Sequence, residues 1–122
     1  MKKTLQDVLD TQQELQKFMG TDPSSMCLPD RMKYLKEHSF WMTDEIHEMV
    51  HELPFMKPWS KKHYKCTQEE LLEMKEKGRE EFIDVFTFFL NVALALGFSE
   101  KSLIDGYYEK NKINIERQKN GY

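Results

Sequence analysis

The segment between Thr67 and Gly97 constrains the fold more than any other part of the sequence. Thr67 followed by Glu70 has the form of a helix capping box, and Gly97 is typical of the residue that follows a helix. The helix predicted between them reaches about Leu96, with Gly78 as a possible break, and its second half is apolar almost all round. Such a helix needs neighbours on several sides, so we expect it at the centre of a helical bundle.

The rest of the chain also favours helices, because no segment shows the long alternation of a strand. Residues 3–19 place apolar side chains at helical spacing, and Gln12 is a polar intruder on that apolar stripe. After a loop from Gly20 to Pro29, a second helix is predicted from about Asp30 to Leu53. A last helix is predicted from Ser99 to about Asn120. The sequence therefore predicts an all-α fold, a compact bundle of four to five helices.

Length and charge narrow the class of protein. The 122 residues fit a single domain over positions 1–122. A net charge of −3 argues against sequence-independent binding to nucleic acid. The sequence contains no apolar run of membrane-spanning length and no apolar signal core, and its two cysteines are too few for a disulfide framework. We expect a cytoplasmic protein with neither nucleic acid nor membrane as a partner.

Two pairs of acidic residues stand on helical faces where carboxylates are unusual. Glu45 and Glu48 share a face with Trp41 on the second helix, and Glu81 and Asp84 lie on the apolar third helix. A carboxylate on an interior helix is costly unless it is paired or bound to a metal. Oxygen ligands of this kind suit Mg²⁺ ions that also take substrate phosphates. We predict a magnesium site formed by Glu45, Glu48, Glu81 and Asp84, although a solvated face is the alternative for the first pair.

A competing motif overlaps the first acidic pair. His47-Glu48-Met49-Val50-His51 matches the HExxH pattern of zinc peptidases. The two histidines lie about 140° from the middle of the acidic face of the same helix. A zinc peptidase also needs a third ligand and a strand that binds substrate, whereas the one later histidine, His63, falls in a loop. The pattern therefore favours surface histidines over a zinc site.

The last helix and the loop before the third helix are rich in cations. Lys110, Asn114 and Arg117 lie within about 60° of one another on the last helix. Two cations with an amide between them suit a polyphosphate and its sugar, although a solvated charged face gives the same pattern. In the basic loop, Trp59 could stack on a base or plug the end of the bundle. An acidic metal site flanked by basic segments is the electrostatic arrangement that a nucleoside triphosphate needs.

These motifs resemble those of a known superfamily. An ExxE pair followed by ExxD on a later helix is similar to the all-α NTP pyrophosphatases, which include the MazG-like enzymes, the phage dCTPases and the dimeric dUTPases. The segment from Tyr108 to Tyr122 resembles the KNxxNxxRQxxGY segment of dimeric dUTPases. The stretch from Val8 to Leu15 resembles the first-helix motif of that family, and Lys57-Pro58-Trp59 resembles its tryptophan segment. Gln16 stands where the family usually has an asparagine.

The resemblance implies a magnesium-dependent dUTP diphosphatase, which hydrolyses dUTP to dUMP and pyrophosphate with a metal-activated water as the nucleophile. It implies Glu45 and Glu48 as catalytic residues as well as ligands. It places Lys110, Asn114 and Arg117 on the phosphates and deoxyribose, and Gln12 and Trp59 near the base. It also implies a homodimer with composite sites. The alternatives are a dCTP pyrophosphatase or a broader deoxynucleotide house-cleaning enzyme, and, from another class, a non-catalytic helical interaction module.

Overall fold

The computed structural model describes residues 2–53 and 67–121 of the chain. These residues form four α-helices and one short 3-10 turn: α1 Leu5–Phe18, the turn Pro23–Ser25, α2 Leu28–Glu52, α3 Gln68–Leu96 and α4 Glu100–Lys119. No strand occurs in this described part, so the predicted all-α class is confirmed. The predicted basic loop, with Trp59 and His63, lies outside the described residues.

Side-chain caps and one left-handed glycine explain where the helices begin and end. Thr4 and Asp7 form a reciprocal capping box at the start of α1, with a Thr4 N to Asp7 Oδ2 distance of 2.8 Å. The predicted caps at Thr67 and Ser99 are confirmed, because each side chain accepts a backbone N–H three residues later. Gly97 ends α3 with a φ of 76°, a conformation that only glycine adopts at little cost.

The structure differs from the predicted helices in two details. α2 begins at Leu28, ahead of the predicted Asp30, because Pro29 is tolerated in the first turn of a helix, where its missing N–H would have no partner. α3 continues through Gly78 without a break. A Cβ atom at Gly78 would lie 3.3 Å from Leu53 Cδ2, so the glycine serves a close approach between helices rather than an interruption.

α2 and α3 form an antiparallel pair, since Leu53 at the end of α2 meets Gly78 early in α3, while His38 meets Asn91 near its end. α1 packs against the second half of α3, where Leu9, Leu90 and Ala93 form a small buried core. This arrangement sets the C-terminal half of α2 opposite the middle of α3. The two predicted acidic pairs come from those segments.

Much of the apolar surface of α3 is exposed in a single chain. Phe82 is 59% exposed and Ile83 50%, so α3 keeps apolar side chains uncovered in a single chain although it contacts both α1 and α2. α4 leaves α3 at a bend of 104° and has no buried residue among those described. In the described part of the chain no single helix is long and apolar enough to cross a membrane, and only α3 and α4 together, across their bend, reach that length and composition.

Candidate metal and nucleotide site

Carboxylates from α2 and α3 come together where the C-terminal half of α2 faces the middle of α3. Glu45, Glu81 and Asp84 each offer one oxygen, and these three oxygens lie within 4.8 Å of one another. Glu48, one turn further along α2, is close enough for its negative charge to raise the pKa of both Glu45 and Glu81. The structure thus brings together the oxygens of three predicted ligands and places the fourth, Glu48, beside them; we call these four residues the acidic cluster.

The local sequence explains why these acids face each other instead of solvent. Glu81 and Asp84 are i, i+3 neighbours and therefore project from the same side of α3. One turn further on, Phe88 packs against Trp41 of α2, with 6.2 Å between the ring centroids. Because Trp41 precedes Glu45 by one turn and Phe88 follows Asp84 by one turn, this aromatic contact fixes the register that sets the acids opposite each other.

The electrostatics of the acidic cluster are unfavourable without a cation. Oε2 of Glu45 and Oε2 of Glu81 are both buried, and neither has a hydrogen-bond partner among the described residues. Burial, together with the neighbouring carboxylates, raises the pKa of Glu45 and of Glu81. Buried oxygens without partners are rare in stable proteins, and they are typical of strained sites, of catalytic groups and of sites that bind water or an ion. Hard oxygen ligands converging from two rigid helices fit a divalent cation of the Mg²⁺ and Ca²⁺ class.

The alternative zinc motif receives no support from the described geometry. The side chains of His47 and His51 are exposed on α2. In the described part of the chain, the one group of side chains close enough together to bind a metal ion consists of carboxylates. His63, the one later histidine that could serve as the third ligand, lies outside the described residues. Glu48 therefore belongs with Glu45 in the acidic cluster, as its helical phase indicates.

Gln12, the polar intruder on α1, lies in a buried hydrogen-bonded chain. Its Nε2 donates to Oδ1 of Asn91 at 2.9 Å, and Nδ2 of Asn91 lies 3.2 Å from Nδ1 of His38. We call Gln12, Asn91 and His38 the amide network, which connects α1, α3 and α2 in turn. This contact explains why a polar side chain is kept on an apolar stripe. The role of Gln12 at the nucleobase stays a prediction.

An aromatic row on α2 was not predicted. Tyr34, His38 and Trp41 follow one another at helical spacing and end at Glu45, and this aromatic periodicity is the sequence signal for the row. With Gln16 of α1 they line an open pocket of about 400 Å³, which we call the aromatic pocket. The rings of Tyr34 and His38 are stacked with centroids 3.7 Å apart.

The predicted phosphate-binding residues of α4 are not brought to the acidic cluster of the same chain. Lys110, Asn114 and Arg117 are all exposed on this helix. At 1.5 Å of rise per residue, Asp84 lies about 20 Å before the bend at Gly97 and Lys110 about 16 Å beyond it. With a bend of 104°, the two backbones are separated by roughly 20 Å, and Arg117 lies further still.

The helical bundle and its converging carboxylates have the arrangement that the sequence motifs predicted for an all-α nucleotide pyrophosphatase. A family model for dUTPases matches residues 67–122. The chain is similar to the dCTP pyrophosphatase of Enterobacteria phage T4, with 28% identity over 143 residues that cover 99% of this chain and 84% of the relative. It is also similar to the dCTP pyrophosphatase of Enterobacteria phage LZ5, with 29% identity, 97% of this chain and 82% of the relative.

No solved structure matches the chain significantly. The family match and the two phage relatives support a dUTPase- and dCTPase-like family of NTP pyrophosphatases, as the motifs predicted. The predicted enzyme class, a hydrolase of nucleoside triphosphates, is confirmed by the same similarities.

Proposed function

We propose that the protein is a Mg²⁺-dependent deoxynucleoside triphosphate pyrophosphatase whose preferred substrate is dCTP, which it converts to dCMP and pyrophosphate. The observation that carries this proposal is the acidic cluster, with two buried carboxylate oxygens that have no partner in the described part of the chain. For the base, similarity over almost the whole chain to two proteins named dCTP pyrophosphatase favours dCTP over the predicted dUTP. The dUTPase family match of the C-terminal half makes dUTP the second candidate.

The residues of the acidic cluster would have two roles, to bind the cation and to accept a proton. Glu45, Glu48, Glu81 and Asp84 would hold the cation, because hard oxygen ligands are what it prefers. Once bound, a divalent cation supplies positive charge to phosphate oxygens and lowers the pKa of water. A carboxylate oxygen of Glu45 or Glu48 that is not used as a ligand can accept the proton that water loses as it attacks.

The cations of α4 fit this reaction if they come from a second copy of the chain. Lys110 and Arg117 lie roughly 20 Å or more from the acidic cluster of their own chain, too far to contact a phosphate held there. The exposed apolar side chains of α3 and α4, including Phe82 and Tyr107, supply the surface that such a dimer would bury. We therefore propose a homodimer in which Lys110, Asn114 and Arg117 complete the partner's site.

The test of the reaction is turnover of dCTP, dUTP and dTTP by the full chain with Mg²⁺, with separation of the products by ion-exchange chromatography. We expect dCTP to be cleaved fastest, to equal amounts of dCMP and pyrophosphate, and turnover to stop on removal of the metal. Glu48→Gln should abolish turnover while the helical content stays unchanged. A protein that cleaves none of the three would instead support the helical interaction module.

The test of the composite site is complementation between two inactive variants. Glu81→Gln damages the acidic cluster, and Arg117→Ala damages the phosphate contact. In a dimer with shared sites, a mixed pair contains one site with both defects and one intact site, so random mixing should restore about a quarter of the wild-type rate. Recovery should require subunit exchange. A mixture that stays inactive after exchange, shown by tagged subunits, would place both residues in the site of one chain.

A further inference from the structure

α4 is attached to the bundle by its first turn. Leu103 packs against the small core around Leu9, and Glu100 is partly buried, whereas every later described residue of α4 is exposed. Only three residues separate the end of α3 at Leu96 from the start of α4 at Glu100. The direction in which α4 leaves the bundle therefore depends on the contacts of its first turn.

The first turns of α1 and α4 cap each other. The backbone N–H of Leu5 donates to Oε1 of Glu100 at 3.1 Å, and the backbone N–H of Glu100 donates to Oε1 of Gln6 at 2.9 Å. The first N–H groups of a helix have no partner within that helix, so each helix satisfies a donor of the other. Nε2 of Gln6 donates to Oδ1 of Asp10 at 2.9 Å, which holds the Gln6 amide in this orientation. We call the two bonds between α1 and α4 the reciprocal cap.

Glu100 also supplies a negative charge where two positive helix ends meet. Each helix N-terminus carries a partial positive charge of roughly half an elementary charge, so two such ends repel each other unless an anion lies between them. Glu100 is in the first turn of α4, and its carboxylate oxygen accepts from the first residue of α1, Leu5. The carboxylate therefore attracts both helix ends and stabilises one angle between the two helices.

Small rotations at the reciprocal cap become large displacements at the far end of α4. At about 1.5 Å of rise per residue, Lys110 lies about 15 Å and Arg117 about 26 Å along the helix from Glu100. A rotation of about 10° at the first turn would therefore move Arg117 by roughly 4–5 Å. Because a misplacement of about 1 Å can lower a rate by about 100-fold, the phosphate contacts of α4 need a fixed helix direction.

We propose that Gln6 and Glu100 are positioning residues: through the reciprocal cap they set the direction of α4 and place its phosphate-binding side chains at the acidic cluster of the partner. The inference rests on the proposed function, because it requires a site that two chains share. Neither positioning residue belongs to the acidic cluster. Their loss should therefore raise the KM for the triphosphate and leave unchanged the Mg²⁺ concentration that gives half-maximal turnover.

The first test is steady-state kinetics of the full chain with Mg²⁺ and whichever of dCTP, dUTP and dTTP the wild type cleaves fastest. Glu100→Ala removes half of the reciprocal cap, and we expect kcat/KM to fall at least about tenfold, mainly through KM. Glu100→Gln keeps an acceptor oxygen for the N–H of Leu5 and should stay within about threefold of the wild type. The matched control is Asp105→Ala, which removes an exposed acid of α4 that pairs with Lys101 of the same helix, and it should change kcat/KM by about twofold or less.

The second test separates positioning of α4 from a general loss of fold, by subunit exchange between variants. Glu100→Ala damages the α4 that a chain lends to its partner and leaves the acidic cluster of its own chain intact. Mixed with Glu81→Gln, it should recover about a quarter of the wild-type rate, because each mixed dimer then contains one intact site. Mixed with Arg117→Ala, it should show no recovery, since both changes lie on α4 and every site of the mixed dimer contains one of them.

Gln6→Ala opens the other half of the reciprocal cap and is used in the same assays, so that the test stands even if Glu100→Ala does not fold. An unchanged kcat/KM in folded variants, or no recovery of a cap variant with Glu81→Gln, would overturn the proposal. If the wild type cleaves no triphosphate, or if Glu81→Gln and Arg117→Ala do not complement each other, the proposed function fails and this inference fails with it. If those two variants complement while both cap variants keep the wild-type rate, the shared site stands and only the role of the reciprocal cap is lost.

Discussion

The amide network and the acidic cluster are both polar groups between α2 and α3, yet they differ in how well they are satisfied. Asn91 of the network lies only two helical turns from Asp84 of the cluster. In the network, Asn91 both accepts from Gln12 and donates to His38. In the cluster, two buried oxygens have no partner among the described residues. The first arrangement stabilises the contact of three helices, while the second costs stability until a cation binds.

Burial disfavours the charged form of side chains in both the amide network and the acidic cluster, with different consequences. Burial lowers the pKa of His38, which leaves a neutral ring suited to its hydrogen bond. Burial and the repulsion of neighbouring carboxylates raise the pKa of Glu45 and Glu81, which leaves a group of acids suited to a cation. A substitution in the network should therefore damage the fold, whereas one in the cluster should damage function and spare the fold.

Among the substitutions that compare the cluster with the network, the largest effect is expected from Glu81→Gln. The change removes one negative ligand, and since even outer residues of metal sites cost 10- to about 100-fold, we expect turnover to fall by about 100-fold or more. The melting temperature of the metal-free protein should stay the same or rise, because one repulsive charge is gone. Activity assays and thermal unfolding with and without Mg²⁺ measure both quantities.

Glu80→Gln is the matched control for that substitution. Glu80 is the exposed neighbour of Glu81 on α3 and is not one of the four converging carboxylates. Its replacement should leave turnover within about twofold of the wild type, and Mg²⁺ should still raise the melting temperature by mass action. If Glu81→Gln lowered the melting temperature of the metal-free protein as much as it lowered activity, Glu81 would be a structural residue.

A smaller effect, on stability, is expected from Asn91→Ala. The substitution leaves buried groups of Gln12 and His38 without partners, and each loss costs about 1–3 kcal/mol, so we expect the free energy of unfolding to fall by about 3 kcal/mol. Urea unfolding followed by circular dichroism measures it. Asn114→Ala on exposed α4 is the control and should change the stability of a single chain by about 0.5 kcal/mol or less. Equal effects of the two substitutions would contradict the structural role of the network.

The sequence predicted those features that depend on helical phase and local chemistry. The caps at Thr67 and Ser99 and the end of α3 at Gly97 depend on groups within a few residues of one another. The spacing of Glu45 and Glu48, and of Glu81 and Asp84, fixes which face each acid occupies before any tertiary contact is known. The two pairs converge because α2 and α3 are antiparallel neighbours.

Features that depend on contacts between distant segments could not be predicted from the sequence. The partner of Gln12 is 79 positions away, at Asn91, and nothing local distinguishes a buried amide bond from a substrate contact. Gly78 looked like a break because a glycine weakens an isolated helix, whereas here it admits Leu53 of α2. The exposed position of α4 depends on the bend at Gly97, and composition does not set the direction of a bend.

The smallest predicted effect is a pH dependence that separates the network from the cluster. His38 has its ordinary pKa of 6.5 in the unfolded chain and a lower pKa in the folded one, because burial outweighs the nearby negative charge of Glu37. Its contribution to stability is therefore complete above pH 6.5 and is lost as the pH falls from 6.5 towards the folded pKa, with a slope of at most about 1.4 kcal/mol per pH unit. Glu45 and Glu81 act in the opposite direction, since their raised pKa values mean that protonation relieves repulsion as the pH falls towards 4.5.

The two contributions are separated by His38→Asn, whose side-chain oxygen can still accept from Asn91 but does not titrate. We expect the free energy of unfolding of the wild type to fall relative to that of the variant as the pH drops from 7.5 to 5.5, when both are measured in urea without metal. The carboxylates of the acidic cluster are common to both proteins, so their opposite pH dependence cancels in the difference. A difference that stays constant over this range would mean that the fold does not disfavour the charged form of His38. The amide network would then lack the desolvation that distinguishes it from the solvent-facing residues of α2.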